Sequence, residues 1–495
     1  MRTHTMPGTT TTAESRRRSH RGAAPEPRPQ QSSKRWWVLA TMTGSLSMIM
    51  IDQTVVSVAL PTMQRDLALS ASGVQWVVNA YLLALAVLVA MGGRVADLLG
   101  PERVFRAGAA VFVGASALCG LAGGEAWIIA ARILQGLGAA LMVPATAAII
   151  VGAFDPRERG KAMGIYTGVS MIFLALGPLV GGLLTEGVSW RGVFYVNLPI
   201  GVAMLVAARF SLPAPPRERV PRGTIDWVGI PLLVGALGTL VLGLMQGQAW
   251  GWSSPAILAL LGSAAVLAPV FVWWERRRPQ PLVQLSLLGL KNFRPDAALL
   301  GGVQFALVGA SVFGAIWAQH VLGYSPIRAG AALLPLTLPL LVVAPLAGRL
   351  YDRVGPRPLL TAGPLLIAAG LGWMALWLHD HEYAVLVPGY VTLGAGLGLT
   401  ISPATTDSLS AASPGERSQA SGLVQTIRQI GGVVGIAVLG AIVQAVSHVA
   451  PDASPVQRIE ASTSAVAAAY WVGAGVMAVM AVAAFTLVRR RPVSS

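Results

Sequence analysis

The sequence predicts an all-α integral membrane protein that crosses the bilayer about fourteen times. Three observations carry this reading. The 495 residues are 54% hydrophobic and only 12% charged, with a mean hydropathy of +0.64, well outside the range of a soluble globular chain. Apolar segments long enough to cross a hydrocarbon core of ~30 Å, which takes about 20 helical residues, recur from Trp36 almost to the C-terminus. These are long continuous runs, whereas a transmembrane β-barrel shows short segments of period-2 alternation.

Taken in order, helices are predicted near 36–59, 74–92, 104–122, 127–150, 161–184 and 193–210, forming a six-helix bundle over 34–210. A polar cytoplasmic linker over 211–226 follows, then two inserted helices near 227–247 and 256–274 within 227–274. A cytoplasmic loop over 275–295 opens on Glu275-Arg276-Arg277-Arg278. It leads to a second six-helix bundle over 296–488, with helices near 297–319, 328–350, 358–378, 384–408, 420–445 and 466–488, and a cytoplasmic tail over 489–495. Residues 1–33, with Arg16-Arg17-Arg18, read as a disordered basic cytoplasmic tail. They are not a cleaved signal, since the first apolar run starts too late and is too long.

A formal charge of +15 and a pI near 11.0 suggest nucleic-acid binding in a soluble protein. Here the basic residues follow topology. Arg65, Arg191, Arg328 and Arg458 fall in loops placed outside, Arg132 and Arg428 lie within helices, and most others fall in segments placed inside. Both termini are therefore expected in the cytoplasm and the chain in the cell membrane, with no nucleic-acid partner. Cys119 is the only cysteine, which excludes an intramolecular disulfide or a cysteine-based metal cluster. His379-Asp380-His381-Glu382 reads as a solvated polar loop, and no Gly-x-x-x-x-Gly-Lys-Ser/Thr phosphate loop is present. Neither a metal, a cofactor nor ATP as energy source is expected.

An internal repeat supports the two-bundle partition independently of hydropathy. Gly93-Arg94-Val95-Ala96-Asp97-Leu98-Leu99-Gly100-Pro101 returns as Gly348-Arg349-Leu350-Tyr351-Asp352-Arg353-Val354-Gly355-Pro356, each between the second and third helix of its bundle. The glycines permit a tight reversal. Asp97 and Asp352, near Arg103 and Arg353, are placed to cap the next helix or bind cytoplasmic arginines as a gate. Duplicated six-helix halves with a substrate site near the midplane are an architecture of secondary transporters.

Asp52 is the one acid placed deep in the membrane. An ionised aspartate at the centre of a spanning helix costs ~2.5–3.5 kcal/mol on insertion scales, so it either lines a cavity and acts there or is held by helix–helix hydrogen bonds. At 1.5 Å per residue, Asp52 lies about 10 Å from the outer end of its helix and Arg132 about 8 Å from the outer end of the fourth helix. The two therefore fall in one layer. In the fifth helix Gly164, Gly177, Pro178, Gly181 and Gly182 form a small-residue pattern that suits close helix approach, with a local kink at Pro178.

Together these patterns resemble the fourteen-helix drug:proton antiporter (EmrB/QacA-like) branch of the major facilitator superfamily, from about residue 36 to 490. The first-helix run Asp52 to Pro61 is similar to that branch's signature, with Ser57 where Asn is commoner. Arg132-Ile133-Leu134-Gln135-Gly136 is similar to the pattern whose arginine takes part in proton coupling. The fifth-helix glycines match the spacing of the antiporter motif, with Phe173 where another glycine is usual. In the first gate loop Leu98 and Pro101 replace the usual basic residues, which implies a weaker first latch. Trp190-Arg191, Phe194 and Asn197-Leu198-Pro199 look like the entry to the sixth helix, a matter of topology.

The resemblance implies a major facilitator fold of 6 + 2 + 6 helices and alternating access. It implies a proton-coupled antiporter, with Asp52 as proton carrier and Arg132 as its partner, that exports small amphipathic molecules such as an antibiotic or a lipophilic cation. Export of one metabolite, lipid or amino acid by the same fold is the alternative, and a non-transport membrane protein the more distant one. The partners expected are the substrate, protons and the lipid bilayer, and the chain is expected to be monomeric. Asn79, Tyr81, Gln135, Tyr166, Gln304, Trp317, Tyr390 and Gln425 are candidate cavity residues, with packing roles as the alternative.

Overall fold

The computed structural model describes residues 32–212, 226–278, 281–324, 326–447 and 454–488, and all its regular structure is helical. The expected tail over 489–495, all of the tail over 1–33 except Ser32 and Ser33, which begin the first helix, and most of the linker over 211–226 lie outside the described residues. The first bundle comprises α1 (Ser32–Asp66), α2 (Ala71–Leu99), α3 (Pro101–Gly120), α4 (Glu125–Ala153) and α5 (Arg159–Gly187), followed by the short α6 (Gly192–Tyr195) leading into α7 (Asn197–Ser211). The next pair is α8 (Gly229–Trp250) and α9 (Pro255–Glu275). Then come α10 (Phe293–His320), the short α11 (Pro326–Ala331) with α12 (Leu334–Val354), α13 (Pro356–Trp377), α14 (Tyr383–Ala411), α15 (Arg417–Val446) and α16 (Pro455–Leu487).

Twelve described helices are long and apolar enough to cross a membrane, and the number reaches fourteen when bent α1 and bent α5 each count as one span. The bends have a shared cause. The helix axis turns by 61° between Val56 and Val58 and by 43° between Leu174 and Leu179. A proline has no N–H to give to the carbonyl four residues earlier. Pro61 thus leaves the Ser57 carbonyl without its helical partner, and Pro178 does the same to Leu174. Sequence boundaries differ from the structure mainly at helix ends, where polar residues continue the helix past the apolar run. The largest extension is in α16, which begins at Pro455 with a capping box between Ser454 and Gln457.

The buried side chains gather into separate cores. One runs from Leu287 to Val488, and two others are built almost entirely from residues 38–212. Between α8 and α9 Asp226 accepts from Trp274 Nε1 at 2.8 Å and from the Gly229 amide at 2.9 Å. The pair packs on itself and against α2 and α15, where Ala90, Leu233, Phe271, Leu282 and Val283 form a small core. Outward faces carry exposed large apolar side chains such as Leu183, Val266, Val342, Val479 and Phe485. Apolar area spread so widely suits lipid and would make a water-soluble surface prone to aggregation.

Candidate functional site

Asp52 stands in α1 five residues before the bend and is fully buried. Arg132 of α4, equally buried, reaches it with Nη1 2.7 Å from Oδ2. Three further side chains close the cluster. Gln135, one turn along α4 from Arg132, donates to Asp52 Oδ1 at 2.8 Å and to Ser116 Oγ of α3 at 2.8 Å. Its own Oε1 accepts from Arg132 Nη1 at 2.7 Å. Asn197, the first residue of α7, donates to the same Oδ1 of Asp52 at 2.9 Å. Arg132 Nε donates to the Val77 carbonyl at 2.9 Å, and its guanidinium lies 4.4 Å from the Tyr81 ring centroid.

This geometry gives the pair its chemistry. The carboxylate accepts three hydrogen bonds and one full positive charge inside the bundle. A proton added to Asp52 cancels half of the ion pair and leaves Arg132 buried without its counter-charge, an arrangement that costs several kcal/mol when made by removing one partner. Sequence reasoning placed Asp52 and Arg132 in one layer but took Gln135 for a cavity residue and Asn197 for topology, whereas both hydrogen-bond the carboxylate. The spacing of Arg132 and Gln135, three apart on one helix face, was the available signal.

The repeated loops form two clamps. Gly93 to Leu99 and Gly348 to Val354 are the last turns of α2 and α12, and Gly100 and Gly355 make the reversals at φ of +91° and +79°, a region that glycine enters without strain. Asp97 accepts from the Ser418 and Gln419 amides at 3.0 and 2.8 Å, at the start of α15. Asp352 accepts from the Gly160 and Lys161 amides, both at 3.0 Å, at the start of α5. Each carboxylate therefore caps a helix of the other half, where unpaired amides and the helix dipole favour a negative charge. The expectation that Asp97 and Asp352 cap the helix next in sequence is corrected, since the helix each caps lies in the other half. Arg353 is exposed and Arg103 half-buried, and the amide bonds involve neither. Gly93 and Gly348 act by close approach, since a Cβ on either would meet the backbone of Ser418 or Gly160.

Along α5 the small residues have different tasks. A Cβ on Gly177 would collide with Thr54 Oγ1 of α1, and one on Gly181 would lie 2.5 Å from the Val55 carbonyl. Both glycines seat α5 on the turn of α1 that follows Asp52. Gly164 faces α12 at Ala344 and Pro345. Gly182 has open space where a Cβ would sit, so it is not part of the contact. Pro178 contributes the bend.

A cavity of about 130 Å³ lies between the halves, with walls from α1, α2, α4 and α5 on one side and α10, α14 and α15 on the other. Of the expected cavity residues, Tyr166, Gln304 and Gln425 line it. Tyr81 and Gln135 belong to the Asp52 cluster behind its wall. Trp317 bonds Thr463 at 3.0 Å, and Tyr390 packs near Gly314 and Tyr470 in the core that runs from Leu287 to Val488. Asn79 is half-buried and does not line the cavity. Gln53, next to Asp52, faces the cavity, as does Arg428 of α15.

Residues 42–436 match the sequence profile of the Major Facilitator Superfamily. The chain is 37% identical over 433 residues to the tetracenomycin C resistance and export protein of Streptomyces glaucescens, covering 87% of this chain and 80% of that one. It is 35% identical over 432 residues to the multidrug resistance protein Stp of Mycobacterium tuberculosis, covering 85% and 79%. In three dimensions it is similar to the proton:xylose symporter XylE bound to 6-bromo-6-deoxy-D-glucose, with a TM-score of 0.66 at 16% identity over 93% of this chain and 97% of that one. That likeness bears on the fold alone. These relatives and the many apolar helices make the chain a multi-pass membrane transport protein rather than an enzyme, and it belongs to the Major Facilitator Superfamily.

Proposed function

We propose that the chain is a proton-coupled antiporter that exports small amphipathic molecules, antibiotics among them, across the cell membrane by alternating access. The observation that carries this reading is the Asp52–Arg132 pair, fully buried at 2.7 Å. It can take up a proton only by giving up its ion pair, which links proton binding to a structural change. The efflux direction draws support from relatives named for antibiotic resistance and export. The two halves, each of six helices with α8–α9 inserted between them, carry the clamps at the end of the bundle where α1 begins and α16 ends. We take that end as cytoplasmic from the distribution of arginines. With both clamps formed, the structure is then closed toward the cytoplasm.

In this scheme Asp97 and Asp352 release the helix starts when the protein opens inward. Substrate enters between the halves, and the clamps reform as the outer side opens. The cavity is well below the ~300–1,000 Å³ of drug-sized sites, so loading requires the halves to part. Asp52 takes a proton from outside and gives it up inside. The test uses inverted vesicles holding the full chain under an imposed pH gradient. Compounds that protect an efflux-deficient host expressing the protein should dissipate the gradient, and the reading fails if protective compounds leave it unchanged.

A further inference from the structure

Arg428 sits in the middle of α15 and lines the cavity between the halves. Among the described residues it is the only charged side chain on the cavity wall, which carries no carboxylate. Its Nη2 donates to Gln304 Oε1 at 3.2 Å. Its Nε is sealed from solvent without a hydrogen-bond partner. Among the described residues no carboxylate lies within ion-pairing distance of it. Asp52 is spent on Arg132 behind the wall.

An arginine does not discharge by losing its proton. A half-buried guanidinium held at this depth with one neutral acceptor has less compensation than charges within a membrane ordinarily have. The rest of the wall offers further donors without charge. Gln53, Gln425 and Gln429 present amides, and Tyr166, whose hydroxyl pairs with Thr146 Oγ1 at 2.7 Å, presents an aromatic face. Apolar Leu and Met side chains fill the gaps. A lipophilic cation entering this space finds a like charge and no counter-ion. An amphipathic anion finds a planar donor fork that suits carboxylate geometry.

We infer that the cavity selects amphipathic anions, molecules with an aromatic or aliphatic body and one carboxylate or similarly acidic head, and that Arg428 is the specificity residue binding that head. The inference rests on the export reading for its use of the cavity, but it concerns binding and is tested without transport. Full-length protein purified in micelles is titrated calorimetrically with three probes that share one bicyclic body: naphthylacetate, naphthylacetamide and naphthylmethyl-trimethylammonium. Wild type should bind the carboxylate at least tenfold more tightly than the amide, and the ammonium most weakly. Arg428→Gln should bring carboxylate affinity down to that of the amide, and Arg428→Lys should keep part of the preference. Equal or tighter binding of the ammonium by wild type overturns the inference. So does a carboxylate preference that survives in Arg428→Gln, or failure of wild type to bind any of the three. If Arg428→Gln is not monodisperse, the wild-type order and Arg428→Lys decide. Loss of gradient-driven export with the binding order intact would count against the antiport reading alone.

Discussion

Asp97 and Asp352 make the same contact on opposite halves of the molecule: each carboxylate takes two successive backbone amides at the first turn of a helix in the other half. Hydrogen bonds to a charged acceptor are worth ~1.5–3 kcal/mol each, so each clamp contributes enough to shift a two-state equilibrium by a factor of ten or more. Asp97→Ala should therefore raise the fraction open at the clamp end. In a Cys119→Ala background, a Ser421→Cys reporter beside the cavity should react with a polar maleimide at least several-fold faster in the Asp97→Ala protein. Unchanged labelling would show that the clamp does not hold the closed form. Asp352→Ala should act in the same direction and to a similar extent, although its copy of the motif retains Arg353.

Asp52→Asn should abolish uphill, pH-driven efflux. The wild-type rate should rise as the outside is made more acidic and fall as that gradient is removed, while the Asp52→Asn protein should be insensitive to both. Because the substitution strands Arg132, it should also lower the melting temperature, by an amount set by ~3–5 kcal/mol for a broken buried pair less the support from Gln135, Val77 and the Tyr81 ring. The double variant Asp52→Asn/Arg132→Gln should recover much of that stability without recovering coupling. Efflux that still follows the gradient in Asp52→Asn assigns the proton to another group.

Gly177→Leu should impair transport without preventing membrane insertion. Its side chain cannot fit against Thr54, whose hydroxyl already donates to the Leu174 carbonyl at 2.9 Å, yet hydropathy along α5 is preserved. Gly182→Leu, where nothing stands within 4 Å, is the control and should transport at close to the wild-type rate. Equal activity of the two variants would mean that the α1–α5 contact is dispensable.

Compartment-sensitive reporters fused at residue 1, inserted at residue 280 and fused at residue 495 should all report the cytoplasm. A single outside report would break either the fourteen-span count or the orientation taken from the arginines.

Much of the helical framework was legible because lipid imposes a length on every span, and runs from Trp36 onward announce it. The Asp52–Arg132 layer was legible for a related reason: charges are so rare at that depth that their axial positions alone bring them together. The partners on α3 and α7 were not. Ser116 and Asn197 are ordinary polar residues near apolar helices, and only the three-dimensional crossing of α1, α3, α4 and α7 turns them toward one carboxylate. Arg428 stood out as a charge within an apolar helix, but its lack of a counter-ion depends on where every acid in the other helices lies. The clamps misled for another reason. An aspartate just before a helix suggests a cap on that helix, whereas the amides it takes belong to a helix of the other half.

Every helix start has unpaired amides whatever residues it contains. The joint between the halves is therefore gripped at main-chain atoms that every substitution but proline leaves in place, with a further limit at Gly160, where a side chain would strike Gly348. Positions such as Lys161 and Gln419 can drift without loosening the closed form, and residue-pair statistics across the halves would be silent there. A hybrid that joins the first half of this chain to the second half of a relative should accordingly still close, as long as the two carboxylates and the glycines facing them are kept.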